Sequence, residues 1–175
     1  MKNKKPFNRL SKSQQRVAIA KDVLLQLRKK RFRSKLGSYV RIPNLWGVED
    51  NYRQANECIL DGSATCQVCA KGALFMSHVM KTNHISLRDV DDIGEYKIKE
   101  RLKMFSIGQL DLIECAFEKR VIEDGDRILR DYNDINESYT SLSKSAIQFG
   151  RKHKKADRLS AIMKNIIKNN GTFKP

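Results

Sequence analysis

The sequence predicts a mostly α-helical fold, a compact helical domain with one or two short strands and with basic N- and C-terminal segments. Apolar residues recur at helical spacing in several stretches, and helix-capping patterns precede two of these stretches. The chain has 175 residues, a length that most simply forms one domain. We therefore expect residues 1–10 to be a basic flexible tail and residues 11–175 to be a single mainly helical domain.

The first helix is predicted over residues 12–31. Ser11 and Gln14 have capping-box spacing, in which the two side chains satisfy free backbone N–H groups at a helix start. Gly37 is expected to end this helix, and residues 38–42 alternate polar and apolar side chains as a short strand does. The apolar stripe of the helix consists of Val17, Ala20, Leu24 and Leu27.

Hydrophobic periodicity and capping patterns also predict the helices that follow in the chain. The run from Cys66 to Met80 is apolar nearly all round, which predicts the central buried helix. Ser106 and Gln109 repeat the capping spacing before a further helix, whereas residues 131–145 are polar and the least periodic part of the interior. The last helix has one apolar face and a stop signal, formed by Leu159, Ile162, Met163, Ile166 and Ile167 and then by Asn169, Asn170 and Gly171.

Positive charge is concentrated at the two ends of the chain. Residues 1–40 hold 13 Lys and Arg and one acid, a net charge of +12, and residues 151–175 have a net charge of +7. Residues 41–150 have a net charge of −4, so the whole chain carries +15. Such segregation favours a polyanionic partner, a nucleic acid or an anionic nucleotide.

Two clusters of cations are the candidate binding site. The first holds six cations within eight residues around Phe32, which is suited to contacting phosphates while the ring stacks on a base. The second lies where the last helix begins, where cations oppose the helix dipole and an anion would relieve that cost. The alternative is a solvated, solubilising surface. The candidate ligand-binding residues are Arg28, Lys29, Lys30, Arg31, Phe32, Arg33, Lys35, Lys152, Lys154, Lys155 and Arg158.

The cysteines and histidines allow a weaker alternative. Cys66 and Cys69 have the C-x-x-C spacing of a zinc half-site, and His84 is the third residue that a zinc ion would use. His78 is an unsuitable ligand because a continuous helix would place it about three turns from Cys66. Buried cysteine acting as a small hydrophobe is the favoured reading, so we expect no cofactor, with zinc as the alternative.

Sequence motifs of common enzymes are absent from the chain. It lacks G-x-S-x-G, G-x-x-x-x-G-K and H-E-x-x-H, and no apolar run approaches the roughly 20 residues that span a bilayer. The N-terminus lacks the apolar region of a secretory signal, which predicts an intracellular protein with reduced thiols and no membrane partner. An enzyme is therefore unsupported by the sequence, although it is not excluded.

Two stretches resemble small accessory proteins encoded by bacteriophages and prophages. They are CQVCAKGALF, residues 66–75, and DRLSAIMKNIIKNNG, residues 157–171. The resemblance implies a setting, the cytoplasm of an infected bacterium, and a role in manipulating the host. It transfers no functional residue to this chain.

These observations leave three hypotheses about function. The first is a non-enzymatic phage-type binding protein that engages nucleic acid or a nucleotide through its basic terminal segments. The second is an inhibitor of a host defence protein, in which the basic ends dock on an acidic surface of the DNA-mimicking kind. The third is a zinc- or thiol-dependent enzyme. The acidic middle of one copy also complements the basic ends of another, which leaves a homo-oligomer open.

Overall fold

A computed structural model of the protein describes residues 6–37, 39–41, 65–82, 95–119 and 137–175. Over these residues the fold is mostly helical with one small three-stranded sheet, which confirms the predicted class and adds one strand to the expected number. The elements in chain order are a 3-10 turn (Phe7–Arg9), α1 (Lys12–Arg28), β1 (Phe32–Ser34), β2 (Val40–Arg41), β3 (Cys66–Val68), α2 (Ala70–Thr82), α3 (Glu95–Arg101), α4 (Ile107–Glu118), α5 (Glu137–Arg151) and α6 (Lys155–Lys168).

The start of α1 follows the predicted capping box. The Gln14 backbone N–H donates to Ser11 Oγ at 3.2 Å, and the Ser11 N–H donates to Gln14 Oε1 at 3.0 Å. The helix ends at Arg28, three residues earlier than predicted. Lys30 has a φ of +59°, a left-handed conformation that turns the chain into β1 well before Gly37.

The sheet corrects the reading of the central apolar segment. Cys66–Val68 is a strand, and the buried helix begins only at Ala70. β3 is the middle strand, parallel to β1 with Phe32 opposite Cys66 and antiparallel to β2 with Val40 opposite Val68. A short apolar run has no clear period, so a buried strand that leads directly into a buried helix reads as one helix.

Of the helices described in the C-terminal half, α4 packs against both α5 and α6. α4 begins with the predicted cap, in which the Gln109 N–H donates to Ser106 Oγ at 3.3 Å. α5 occupies part of the stretch for which the sequence predicted no helix, and it packs along α4. The two backbones approach closely at Gly150, where a Cβ atom would overlap the carbonyl oxygen of Ala116.

The last helix confirms its prediction. The buried face of α6 includes Leu159, Ile162, Met163 and Ile166. The helix ends where Asn170 and Gly171 adopt positive φ, and the Gly171 N–H donates to the Ile166 carbonyl at 2.8 Å. α6 packs along α1 and contributes to a core shared by α1, α2, α4 and β3.

Part of the predicted basic tail is fixed to the helices. The Phe7 ring packs edge-on against the His78 ring with centroids 5.8 Å apart. Gln15 Nε2 donates to the Leu10 carbonyl at 3.1 Å, which ties the 3-10 turn to α1. Residues 1–5 of that tail lie outside the described residues.

Candidate anion-binding site

The two cationic clusters lie at one end of the molecule because α1 and α6 are antiparallel. Ser13 Oγ donates to the Asn170 carbonyl, which fixes the start of α1 beside the end of α6. Arg28 lies fifteen residues after Ser13, and Lys155 lies fifteen residues before Asn170. At 1.5 Å per residue both are about 22 Å from that contact, so they stand at the same height on neighbouring helices.

A second set of contacts joins the same regions independently. The Gly37 N–H, two residues after the first cluster, donates to Glu118 Oε1 at 3.1 Å. Arg158, on the first turn of α6, donates to the Phe117 carbonyl and, at 3.1 Å through Nε, to the Gly150 carbonyl. The loop after β1, the ends of α4 and α5 and the start of α6 therefore meet.

We call the exposed cations of this region the cationic end. Its members come from the end of α1, from β1, and from the α5–α6 connection, and they are Arg28, Lys29, Lys30, Arg33, Lys152, Lys154 and Lys155. In the described part of the chain, the ion pairs within 4 Å include none of these seven side chains. Their charges are therefore available to an external anion.

Lys119 lies beside the cationic end, and sequence reasoning missed it. It is exposed and ends α4 in a left-handed conformation, two residues beyond the carbonyl that Arg158 contacts. A lysine that directly follows an apolar helix is a detectable signal for a cation at a helix C-terminus. Its position in space depends on the packing of α4 against α6, which the sequence does not show.

Three candidates of the first cluster differ from the exposed set. Lys35 is half-buried and its Nζ donates to Gln67 Oε1 at 3.0 Å, and Arg31 is also half-buried. Phe32 is only 3% exposed, because the alternation along β1 turns its ring into the core and Arg33 outward. The expected stacking role of Phe32 is therefore inconsistent with its position.

Arg158 also differs from the sequence-based expectation. Its side chain is 1% exposed, and its guanidinium donates to the carbonyls at the ends of α4 and α5. Carbonyls in the last turn of a helix have no donor within that helix, so a buried cationic donor is a suitable cap for them. Burial lowers the pKa of Arg158, and the nearby Glu118 carboxylate opposes that shift. Arg158 holds the cationic end together from inside and does not belong to its surface.

The start of α6 provides further affinity for an anion. Lys154 is the N-cap residue, and its side chain makes no capping hydrogen bond. The first backbone N–H groups of a helix have no helical partner and point outward, along the positive end of the helix dipole. Here they lie between lysines, with Asp157 as the acid of the first turn.

The cysteines are placed as hydrophobic core residues. Cys66, Cys69 and Cys115 are buried with free thiols. Burial raises the pKa of Cys66 to about 11 and that of Cys69 to about 12. Within the described ranges no group of three or more His, Cys, Asp or Glu is arranged to hold a metal ion, and His84 lies outside those ranges.

These thiols are expected to resist alkylation in the native protein. Only the thiolate reacts, and with a pKa near 11 about one Cys66 thiol in a thousand is ionised at pH 8. Iodoacetamide labelling at pH 8, followed by peptide mass spectrometry, should modify Cys66 and Cys69 only after unfolding in urea. Labelling of native Cys66 at the rate of free cysteine would contradict the burial and support a thiol-dependent enzyme.

A separate ionic cluster lies inside the protein between α2 and α4. Lys71 is 1% exposed, and its Nζ contacts Asp111 Oδ1 at 3.2 Å and also the Glu114 carboxylate. Sequence reasoning did not identify this cluster. A lone lysine in an apolar helix, with carboxylates on another apolar helix, is the signal that could have revealed it.

No protein-family profile, curated protein or solved structure matches this chain. Among the described residues, no helix combines the length and the hydropathy needed to cross a bilayer. The functional assignment therefore rests on the chain's own geometry.

Proposed function

We propose that this protein is a non-enzymatic binding protein that holds a phosphate-rich ligand, a nucleic acid or a nucleotide, at the cationic end. The observation that carries the proposal is the meeting of two clusters that are more than a hundred residues apart in sequence. Helices that pack directly lie about 8–10 Å apart, so phosphates on one ligand can contact both clusters together.

Helix stabilisation explains only part of this arrangement. Cations at the ends of α1, α4 and α5 interact favourably with those helix dipoles, by about 0.3–1 kcal/mol each. Lys154 and Lys155 stand at the opposite pole, the positive start of α6, where the dipole disfavours them. A ligand anion at this position offsets both the dipole and the mutual repulsion of the lysines.

The proposal predicts a large effect of removing four lysines from the cationic end. The variant Lys29→Ala, Lys30→Ala, Lys152→Ala, Lys155→Ala should bind at least about tenfold more weakly. The logarithm of its affinity should also fall less steeply with log salt, by about 0.9 for each phosphate of duplex DNA that the variant no longer neutralises. Fluorescence anisotropy with labelled single- and double-stranded DNA and RNA and with labelled nucleotides, across a salt series, measures both quantities.

The chain offers a control with the same change of charge at the opposite end. Lys12 opens α1, Lys168 closes α6, and Lys164 and Lys174 lie nearby, all exposed. Their fourfold replacement by alanine should leave most of the affinity in place. An equal decrease of affinity in the two variants would mean that net charge alone drives binding, which would contradict a located site.

The resemblance to phage accessory proteins supports a setting for this activity, the cytoplasm of an infected bacterium. The same cationic surface also suits an acidic host protein, as in the second hypothesis. Wild-type protein that binds no nucleic acid or nucleotide near physiological salt would favour that partner over the proposed one.

A further inference from the structure

A groove with a volume of about 470 Å³ lies between α1, the 3-10 turn and the end of α2. Its apolar walls are the side chains of Phe7, Leu10, Ala18 and Met80. Three polar side chains complete the lining, Asp22, Gln26 and Lys81. This volume falls within the range of small-molecule sites in proteins.

The acceptors of the groove have room for a hydrogen-bond donor. Gln26 is only 4% exposed, and its Oε1 has no hydrogen-bond partner. Its Nε2 reaches the two Asp22 oxygens at 3.4 Å each, near the limit for a hydrogen bond. A buried acceptor without a donor is costly, and the terminal amide torsion is soft enough to turn Oε1 toward a donor in the groove.

Asp22 can accept further donors. Its Oδ2 accepts from Ser77 Oγ at 2.8 Å, and Lys81 Nζ lies 3.6 Å from Oδ1. A carboxylate offers about four lone-pair positions. The other two face only the long 3.4 Å contacts of Gln26 Nε2, which are given up when that amide turns toward the groove. The groove therefore combines two acceptors, Asp22 and Gln26, with one cationic donor, Lys81.

The groove is continuous with the cationic end along α1. Ala18, Asp22 and Gln26 recur every four residues and so share one stripe of the helix. Lys29 follows Gln26 by three residues on the same stripe, and Lys30 follows directly. A ligand with its ring in the groove would thus place an attached group about one turn of helix, roughly 5 Å, further along, beside these lysines.

The groove suits a neutral ring that carries hydrogen-bond donors, because its two charged side chains, Asp22 and Lys81, balance each other. The nearby lysines of the cationic end suit an anion attached to that ring. Guanine presents adjacent N–H donors at N1 and N2 and an acceptor at O6, which complements two acceptors and one ammonium group. Adenine and cytosine each present one amino donor on that edge, and uracil presents one N–H.

We propose that this groove binds the base of a guanine nucleotide, with the phosphate on Lys29 and Lys30. The inference rests on the proposed function, because those lysines are part of the cationic end. It goes further in naming the base and the residues that select it.

Calorimetric titration of the full-length protein at low salt tests the proposal. The ligands are GMP, AMP, CMP, UMP and ribose 5-phosphate, which carries the phosphate but no base. GMP is expected to bind about tenfold more tightly than the other four, the discrimination that a good pair of hydrogen bonds provides.

Three variants distinguish the contribution of the base from that of the phosphate. Gln26→Met keeps the side-chain length and removes Oε1, and Ala18→Met fills the groove; each should lower GMP affinity to that of ribose 5-phosphate. Lys29→Ala with Lys30→Ala should weaken all five ligands. Ala161→Met, at a half-buried alanine of α6, is the control and should change none of the affinities.

The outcomes distinguish the two proposals. Equal affinity for all five ligands, abolished on replacing Lys29 and Lys30, would overturn the base site and leave the anion site standing. Oligonucleotide binding without any mononucleotide binding would do the same. Absence of binding to mononucleotides and oligonucleotides alike would overturn both proposals.

Discussion

Replacing Arg158 with methionine is expected to lower the free energy of unfolding by about 3–5 kcal/mol. The change removes hydrogen bonds from a charged donor, worth about 1.5–3 kcal/mol each, to the carbonyls of Phe117 and Gly150. It also deprives the Phe117 carbonyl of this donor, whereas the Gly150 carbonyl keeps the 3.3 Å bond from the His153 N–H. Urea denaturation followed by circular dichroism measures the difference.

Lys155→Met is the matched control for this prediction. It lies on the same turn of α6, but its side chain is exposed, so its stability should stay within about 0.5 kcal/mol of the wild type. The two variants should therefore differ in which property they lose. Arg158→Met should lower the stability, and Lys155→Met should lower the affinity for the ligand. An Arg158→Met protein with unchanged stability and weakened binding would instead place Arg158 on the ligand surface.

The sequence predicted the elements that carry strong local signals. The caps at Ser11 and Ser106 and the stop at Gly171 are chemical patterns that act within a few residues, and all three are present. The predictions of secondary structure were wrong where contacts with distant parts of the chain determine the structure. Cys66–Val68 is a strand because β1 and β2 pair with it, and both partners are distant in sequence.

α5 was missed even though its hydropathy does vary with a helical period. Its buried side is built largely from small residues, among them Ser143, Ala146 and Gly150, so the segment as a whole reads as polar. Gly150 is needed there because α4 approaches so closely, and that approach is a property of the helix pair. Composition along a single segment does not contain this information.

The sequence predicted which types of residue form the candidate site, but not which of the individual residues are exposed there. Charge at both chain ends indicated an anion, and five of the lysines and two of the arginines are exposed where the two ends meet. Phe32 and Arg158 are buried instead. Arg158 lies four and eight residues before Ile162 and Ile166, so helical spacing already placed it on the buried face.

Lys71 is expected to be the second position at which a single change strongly destabilises the fold. In Lys71→Met the Asp111 and Glu114 carboxylates remain largely buried, with side chains 6% and 16% exposed, and no ammonium group stands between them. Removing one partner of a buried ion pair typically costs about 3–5 kcal/mol, because the other charge stays uncompensated. The free energy of unfolding from urea titration at pH 7 should fall by that amount.

Two comparisons test the electrostatic cause of this destabilisation. Lys81→Met removes a partly exposed cation from the same helix and should cost about 1 kcal/mol or less. The triple variant Lys71→Met, Asp111→Asn, Glu114→Gln removes all three charges and should recover much of the stability, since neutral replacements of buried ion pairs are often tolerated. A deficit that persists in the triple variant would show that Lys71 acts through packing of its aliphatic chain.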